Sequence, residues 1–365
     1  MKLNSILVRL GLTAFVLASN TGFAADQPLF QSNDVLRAVL TAPIAQTYAQ
    51  RHQEVRLYIP GQWTYIDNDG QTQRLDVSIR TRGHFRREYC SLPPLQLNFK
   101  KSQVRDTLFS GQDKLKLVGP CKADDRHQQY VVLEYLAYKT FEIITDHGFK
   151  TRMLRLSYVD RDDKIDPWTS FGFVIEDDSD LAKRLDLARV RVPGVKYIEL
   201  DQPKTALVQL FQLLIANTDH SLIKPSGDDD CCHNIQVLGP KDDETVRIPV
   251  PFDFDMSGLV NARYASPPSQ IPIRDVRQRY YYGLCQPADV LDQAIAHMQS
   301  KRGEIMALYR NAELLSNKNK QDSLDYVESF YDILDSPKRV DLEIVARCRG
   351  RIIMERMLES ATDPT

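Results

Sequence analysis

Beyond its first two dozen positions, the chain contains no run of about 18 apolar residues, so we expect a soluble mature protein with no membrane span. It also lacks a G-x-G-x-x-G loop and a Walker A sequence, which excludes the usual glycine-rich phosphate loops. HExxH and GxSxG are missing too, so no motif indicates a zinc protease or a serine esterase. No charge sign dominates, because 47 Lys and Arg stand against 49 Asp and Glu, and this balance argues against a dedicated nucleic-acid-binding protein.

The first 24 residues, MKLNSILVRLGLTAFVLASNTGFA, have the composition of a secretory signal. Lys2 and Arg9 come early, an apolar stretch follows, and Gly22 and Ala24 form a small-x-small end. A retained membrane anchor is the alternative, but the apolar core is short and interrupted. We therefore predict cleavage near Ala24 and a periplasmic or secreted protein. Cleavage removes two basic residues and no acidic ones, so the mature net charge is 45 − 49, or −4.

Cysteine content gives a second indication of export. An even number of cysteines in an oxidising compartment predicts disulfides, although the pairing cannot be deduced from sequence. Cys90 with Cys121, and Cys231 or Cys232 with Cys285, are the pairs we consider. A zinc site is the alternative, but the chain has no CxxC pair. The six cysteines are Cys90, Cys121, Cys231, Cys232, Cys285 and Cys348.

Periodicity divides the mature chain into a strand-rich part and a helical part. In RLDVSIRTR, the apolar Leu75, Val77 and Ile79 alternate with polar residues, as in a half-buried strand. Helical spacing of apolar residues appears in QQYVVLEYLAYKTFEII and dominates after position 178. We therefore predict an α+β protein with a β-rich lobe at 25–177 and a helical lobe at 178–365.

Acidic and amide side chains follow the apolar run LLIAN in a suggestive order. Asp219 comes first, Asn234 follows 15 residues later, and Asp253 and Asp255 come in PVPFDFDMSG. Kinases present a base Asp, a metal-binding Asn and a metal-binding Asp in this order. Turns and helix caps are the alternative explanation for each residue taken singly. The order predicts a site that binds a divalent metal and phosphate.

Residues that precede Asp219 in the sequence are candidates for binding that phosphate. Lys116 lies in the predicted strand KLKLV and Glu134 in the following helix, so an ion pair between them is expected. Lys114 and Glu142 are alternative partners, and solvent-facing charges are equally compatible with the pattern. Arg80 and Arg82, with two further arginines just beyond Gly83, could meet phosphate or an acidic substrate, or form a solvated strand face.

Six segments of the chain carry a resemblance to a known family: IRTRGHFRR, LPPLQLNF, KLKLV, FGFVIEDDSDLAKRL, NTDHS…HN and PVPFDFDMSG. Together they resemble the CotH family of spore-coat-type atypical kinases, in an exported bacterial branch. The resemblance runs from about Val55 to Val260. It implies a two-lobed protein-kinase-like fold with a β-rich N-terminal lobe and a mainly helical C-terminal lobe. It also implies phosphate transfer from ATP with Mg²⁺ or Mn²⁺.

The resemblance assigns roles to residues of this sequence. Asp219 would be the catalytic Asp and Asn234 a metal ligand; Asp253 would be the metal Asp, with Asp255 close by. Glu176 would lie where the nucleotide base binds. The chain lacks the glycine-rich loop of ordinary kinases, so the phosphate cradle would come from Arg80, Arg82, Gly83 or nearby backbone.

We therefore expect an exported ATP-dependent kinase that acts on a hydroxyl of a protein or small molecule. Its partners would be a nucleotide and a protein or envelope substrate. A catalytically inactive kinase-fold binding module of the cell envelope, a pseudokinase, is the alternative. Metal-dependent hydrolysis would also use the Asp cluster but would leave the Lys116–Glu134 pair unexplained. Whether His220 and His233 take part stays open, since a His beside a catalytic loop is commonly structural.

Overall fold

A computed structural model describes residues 27–67, 69–225 and 230–355, so the predicted signal peptide lies outside the described residues. The strands are β1 (Leu36–Ala42), β2 (Ile59–Ile66), β3 (Thr72–Thr81), β4 (Leu95–Phe99), β5 (Lys114–Val118), β6 (Thr151–Asp160), β7 (Trp168–Ile175), β8 (Ala188–Arg189), β9 (Ile235–Gly239) and β10 (Ile248–Pro251). The helices are α1 (Ile44–Ala49), α2 (Phe85–Tyr89), α3 (Asp125–Ile144), α4 (Asp178–Arg184), α5 (Gln202–Leu214), α6 (Ala288–Arg310), α7 (Asn317–Leu334) and α8 (Pro337–Glu343).

The first seven strands close into a barrel in the order β1-β2-β3-β4-β5-β7-β6. β1 and β6 pair in parallel, with Leu36 opposite Leu154, and the other neighbours are antiparallel. Alternation of buried and outward-facing residues along the strands fills the interior with apolar side chains, including Trp63. This barrel is the scaffold from which β3 and β5 carry charged residues on their outer faces.

The closed barrel overturns the predicted two-lobed protein-kinase-like fold with a β-rich N-terminal lobe and a helical C-terminal lobe. The alternating pattern fitted that lobe equally well, because period-two alternation is the same in an open sheet and in a barrel. Closure depends on the pairing of β1 with β6, two strands separated by more than a hundred residues. No local sequence signal reports such a contact.

A second apolar core lies outside the barrel. α3 covers the outer face of β6 and β7 and also packs against α6, while α5 packs against β10 and α6. A separate three-stranded sheet has the order β10-β9-β8. This core takes side chains from both sides of position 177. The division into domains at 25–177 and 178–365 stays a prediction.

Three disulfides are present, which is consistent with an exported protein. Cys90 pairs with Cys121, as predicted. The predicted second pair is wrong, because Cys285 pairs with Cys348 and the adjacent Cys231 and Cys232 pair with each other. In the part of the chain that the structure describes, no helix has the length and apolar character needed to cross a membrane.

Candidate functional site

Asp219 lies in the turn that follows α5. Asp201 caps the start of this helix by accepting a hydrogen bond from the Lys204 backbone N–H, and the helix body is almost entirely buried. The chain leaves the helix through Ala216, which has a positive φ of 49°. The Asp219 N–H then donates to Asn217 Oδ1 at 3.0 Å. A buried helix and a tight turn thus hold Asp219 at a half-buried position that solvent can reach.

Asp219, His233 and Asn234 form a connected group. His233 Nε2 lies 2.8 Å from Asp219 Oδ1. The Asn234 amide donates to the Asp219 carbonyl oxygen at 2.7 Å and to Asp219 Oδ2 at 3.1 Å. Asn234 sits just before β9 with a φ of 53°, a left-handed conformation that Asn tolerates better than most residues. The structure therefore brings together the residues predicted as catalytic Asp and metal-binding Asn.

His220, next to Asp219, has a different environment from His233. It is buried, and this burial together with the nearby Arg349 charge lowers its pKa to about 4. It is therefore neutral at pH 7 and provides no positive charge near Asp219. We interpret His220 as a structural residue of the turn.

Asp253 and Asp255 flank the fully buried Phe254 in the segment after β10. The Phe254 ring packs against Tyr138 of α3, with 4.5 Å between ring centroids. The Tyr138 hydroxyl also accepts a hydrogen bond from the Asp253 N–H at 2.9 Å. Asp253 has a positive φ of 64°, and these contacts with α3 hold it there. Asp253 is partly exposed, whereas Asp255 is buried.

Arg86 of α2 connects Asp255 to Glu134 of α3. Its Nη1 lies 3.2 Å from Glu134 Oε2, and its Nε lies 3.8 Å from Asp255 Oδ2. The third nitrogen, Nη2, donates to the Gly119 carbonyl oxygen at 2.6 Å. All three side chains are buried. The partner of Glu134 is therefore Arg86, and the predicted Lys116–Glu134 ion pair is wrong.

Lys116 has another partner. Its ammonium group pairs with Asp178 at the start of α4 and lies 5.1 and 5.2 Å from the ring centroids of Phe149 and Phe252. On β5 its neighbours Leu115 and Leu117 point into the barrel, so Lys116 lies on the outer face. The structure does not bring Lys116 to the Glu134 carboxylate.

The carboxylates around Arg86 outnumber the cations. Burial raises the pKa of Glu134 and of Asp255, the nearby Asp253 charge raises both further, and Arg86 opposes the rise. In the described residues, Glu134 Oε1 and Asp255 Oδ2 are buried without a hydrogen-bond partner. A proton or an added cation would relieve this excess of negative charge. We call Glu134, Asp253 and Asp255 the carboxylate cluster.

Tyr264 borders the carboxylate cluster and was not predicted. Its hydroxyl lies beside Asp255 and favours the charged form of that carboxyl. Its ring contacts Phe85 and Tyr89 of α2, with centroid distances of 5.8 and 5.6 Å. Tyr264 comes from a loop without regular periodicity, so no sequence signal marked it. Arg86 lay within the quoted motif IRTRGHFRR, but its pairing was not apparent.

Glu176 lies apart from the carboxylate cluster. Its side chain is fully buried, and both oxygens accept hydrogen bonds from Arg184 at 2.9 Å. Its backbone N–H donates to the Lys150 carbonyl oxygen. The structure thus places Glu176 in a closed ion pair, and the prediction that it lies near a bound nucleotide base stays untested.

The other residues predicted to bind the nucleotide lie on the surface. Arg80, Arg82 and Gly83, at the end of β3 and in the turn after it, line a pocket of about 330 Å³. Gly83 has a φ of 83°, a conformation that favours glycine, and it turns the chain from β3 towards α2. The turn therefore places α2 and its Arg86 beside this pocket.

The carboxylate and amide oxygens of this site suit Mg²⁺ or Mn²⁺ only when other ligands complete the coordination sphere of the metal. Within 27–67, 69–225 and 230–355, no three His, Cys, Asp or Glu side chains are grouped closely enough to hold a metal ion. Mg²⁺ commonly binds through one or two carboxylates together with substrate phosphates and water. The partly exposed Asp253, with the Asn234 amide oxygen, offers oxygen donors of that kind.

Comparison with known proteins does not assign the chain to a family. No family model matches it, and no curated protein is significantly similar to it. The resemblance to CotH kinases therefore stays a hypothesis that depends on the quoted motifs.

Proposed function

We propose that this protein is an exported phosphotransferase that moves the terminal phosphate of ATP to a hydroxyl, with Mg²⁺ or Mn²⁺ as the metal. One observation carries the proposal. Asp219 and Asn234, predicted as base and metal ligand, hydrogen-bond to each other. The Asp219 charge also acts on the buried Asp255 of the carboxylate cluster. The motif resemblance to CotH kinases supports the same activity, and the three disulfides support export.

Asp219 would act on the acceptor. The acceptor oxygen forms a bond to the terminal phosphorus, the bond from that phosphorus to the bridging oxygen breaks, and ADP leaves. The hydroxyl proton passes to Asp219, whose carboxylate solvent can reach. Asn234 and His233 would fix the orientation of Asp219 through their contacts with its two oxygens.

Asp253 and Asn234 would hold the divalent ion, which would neutralise phosphate charge when bound. Arg86 has a positioning role. Its three nitrogens are directed to Glu134, Asp255 and the Gly119 carbonyl, so it sets the arrangement of the carboxylates from a buried position. It thereby provides the cation that Lys116 was expected to supply to Glu134.

A thermal-denaturation titration tests the nucleotide site. ATP with Mg²⁺ or Mn²⁺ should stabilise the mature protein by about 2.7 kcal/mol at a hundredfold excess over Kd, because the ligand binds only the folded state. Asp253→Ala should fold and lose this stabilisation. Asp162→Ala is the matched control, since Asp162 is exposed in the turn between β6 and β7. If no nucleotide shifts the wild-type midpoint with either metal, the phosphotransferase proposal fails and a binding role becomes the better explanation.

A further inference from the structure

Four arginines converge on the pocket at the end of β3. Arg80 and Arg82 come from β3 and the turn after it, Arg87 from α2, and Arg56 from the segment before β2. We call these four residues the arginine pocket. Its volume of about 330 Å³ is at the lower end of the range for small-molecule sites. Phosphate contacts were predicted as one possibility for Arg80 and Arg82 and for the two arginines beyond Gly83, of which Arg87 lines this pocket; Arg56 had no predicted role.

Positive charge exceeds negative charge in the arginine pocket, whose lining includes one acidic residue, Glu54, beside the four arginines. In the described part of the chain, Arg56, Arg80 and Arg82 have no ion-pair partner. Arg87 pairs with Glu88 at 3.0 Å, but that carboxylate is mostly exposed. Burial and repulsion from Arg87 and Arg80 lower the pKa of Arg56. Like charges held together in this way favour the binding of an anion.

Contacts that do not neutralise the guanidinium groups hold them in position. Arg56 donates to the carbonyl oxygens of Thr81 at 3.3 Å and of Gln53 at 3.0 Å. The Arg80 guanidinium lies 4.6 Å from the centroid of the Tyr58 ring. Such groups lose little freedom when a ligand binds, and the planar fork of Arg matches the oxygens of a phosphate.

The arginine pocket is linked to the carboxylate cluster through α2, whose Arg87 lines the pocket and whose Arg86 pairs with Glu134 and Asp255. The Arg82 charge also lowers the pKa of Glu134. Positive charge on one side of α2 is therefore close to negative charge on the other. A ligand with several anionic groups and a bound cation would complement both regions.

We propose that the arginine pocket binds phosphate-class oxyanions by itself, without a divalent metal. Two sources of the oxyanion are compatible with this chemistry: the phosphates of the nucleotide, or an anionic group on the acceptor. Oxyanion binding does not require the proposed function. Only the choice between the two sources rests on it.

Isothermal titration with tripolyphosphate in the presence of EDTA tests the proposal, because this probe lacks a base and the chelator removes metal ions. We expect binding to the wild type and at least about tenfold weaker binding to Arg80→Gln/Arg82→Gln, because this variant loses the charge-assisted hydrogen bonds of two guanidinium groups. The affinity should fall as salt rises. Arg74→Gln is the matched control, because Arg74 is an exposed arginine on the same strand outside the pocket.

The same variants distinguish the two sources. If Arg80→Gln/Arg82→Gln also weakens ATP–Mg²⁺, the pocket holds nucleotide phosphates; if ATP–Mg²⁺ binding is unchanged, it holds an anion of the acceptor. No tripolyphosphate binding to the wild type, or equal weakening by Arg74→Gln, would overturn the proposal. Tripolyphosphate binding with no response to ATP and metal would leave the arginine pocket intact and remove the phosphotransferase proposal.

Discussion

Arg86→Met should lower the free energy of unfolding by about 3–5 kcal/mol at pH 8, because it leaves two buried carboxylates without their cation. Arg86 contacts both Glu134 and Asp255, and all three side chains are buried. Met approximates the length of the arginine stem, so the loss reflects charge and hydrogen bonds more than volume. Urea denaturation of both proteins at pH 8 measures the difference.

The size of this loss should depend on pH. Glu134 and Asp255 have folded-state pKa values raised above those of the unfolded chain, so the folded protein binds more protons between the two values. These two groups stabilise the folded state fully when the pH is below their pKa in the unfolded chain, about 4. This stabilisation is lost as the pH rises through their pKa values in the folded protein. Without Arg86 both pKa values rise further. The variant should therefore lose much more stability at pH 8 than at pH 5.

Adding Glu134→Gln to the Arg86 variant separates charge from packing. The double variant removes one unpaired carboxylate, so it should recover part of the stability at pH 8 and little at pH 5. Arg74→Met is the control for loss of an exposed arginine, and its effect should stay within about 0.5 kcal/mol. An equal loss from Arg86→Met at both pH values, without recovery by Glu134→Gln, would contradict the electrostatic account.

Local pattern predicted several elements of the fold but not its closure. The alternation in RLDVSIRT identified β3, and the predicted strand KLKLV is β5. What joins these strands into a barrel is the parallel pairing of β1 with β6. Alternation shows that one face of a strand is buried and leaves open which strand lies beside it. The kinase-like lobe was inferred from motifs, and motifs also say nothing about strand order.

The acidic part of the site was easier to predict than the basic part. Asp219 and Asn234 meet because one follows a buried helix and the other precedes a short strand of the same core. For Glu134, burial in α3 requires a cation, but burial does not specify which one. Lys116 was the nearest lysine on a predicted strand, whereas Arg86 reaches Glu134 from α2. That contact depends on the turn at Gly83, whose direction the sequence does not reveal.

The second large effect concerns Asp219. Asp219→Asn should lower the rate of phosphate transfer from ATP by about 10²–10⁴-fold, the usual contribution of a positioned general base. Asn has the same shape as Asp and can still contact Asn234 and His233, so ATP–Mg²⁺ should bind as in the wild type. Single-turnover release or transfer of γ-labelled phosphate, beside the thermal titration, gives both quantities.

Asp201→Asn is the matched control, because Asp201 lies at the opposite end of the same helix, α5. Asn caps helices about as well as Asp, so this variant should keep both stability and turnover. The two variants carry the same chemical change, and only the one beside His233 and Asn234 should lose turnover. If Asp219→Asn keeps more than about a tenth of the wild-type rate, Asp219 is not the base. Its hydrogen bonds would then serve to shape the turn after α5.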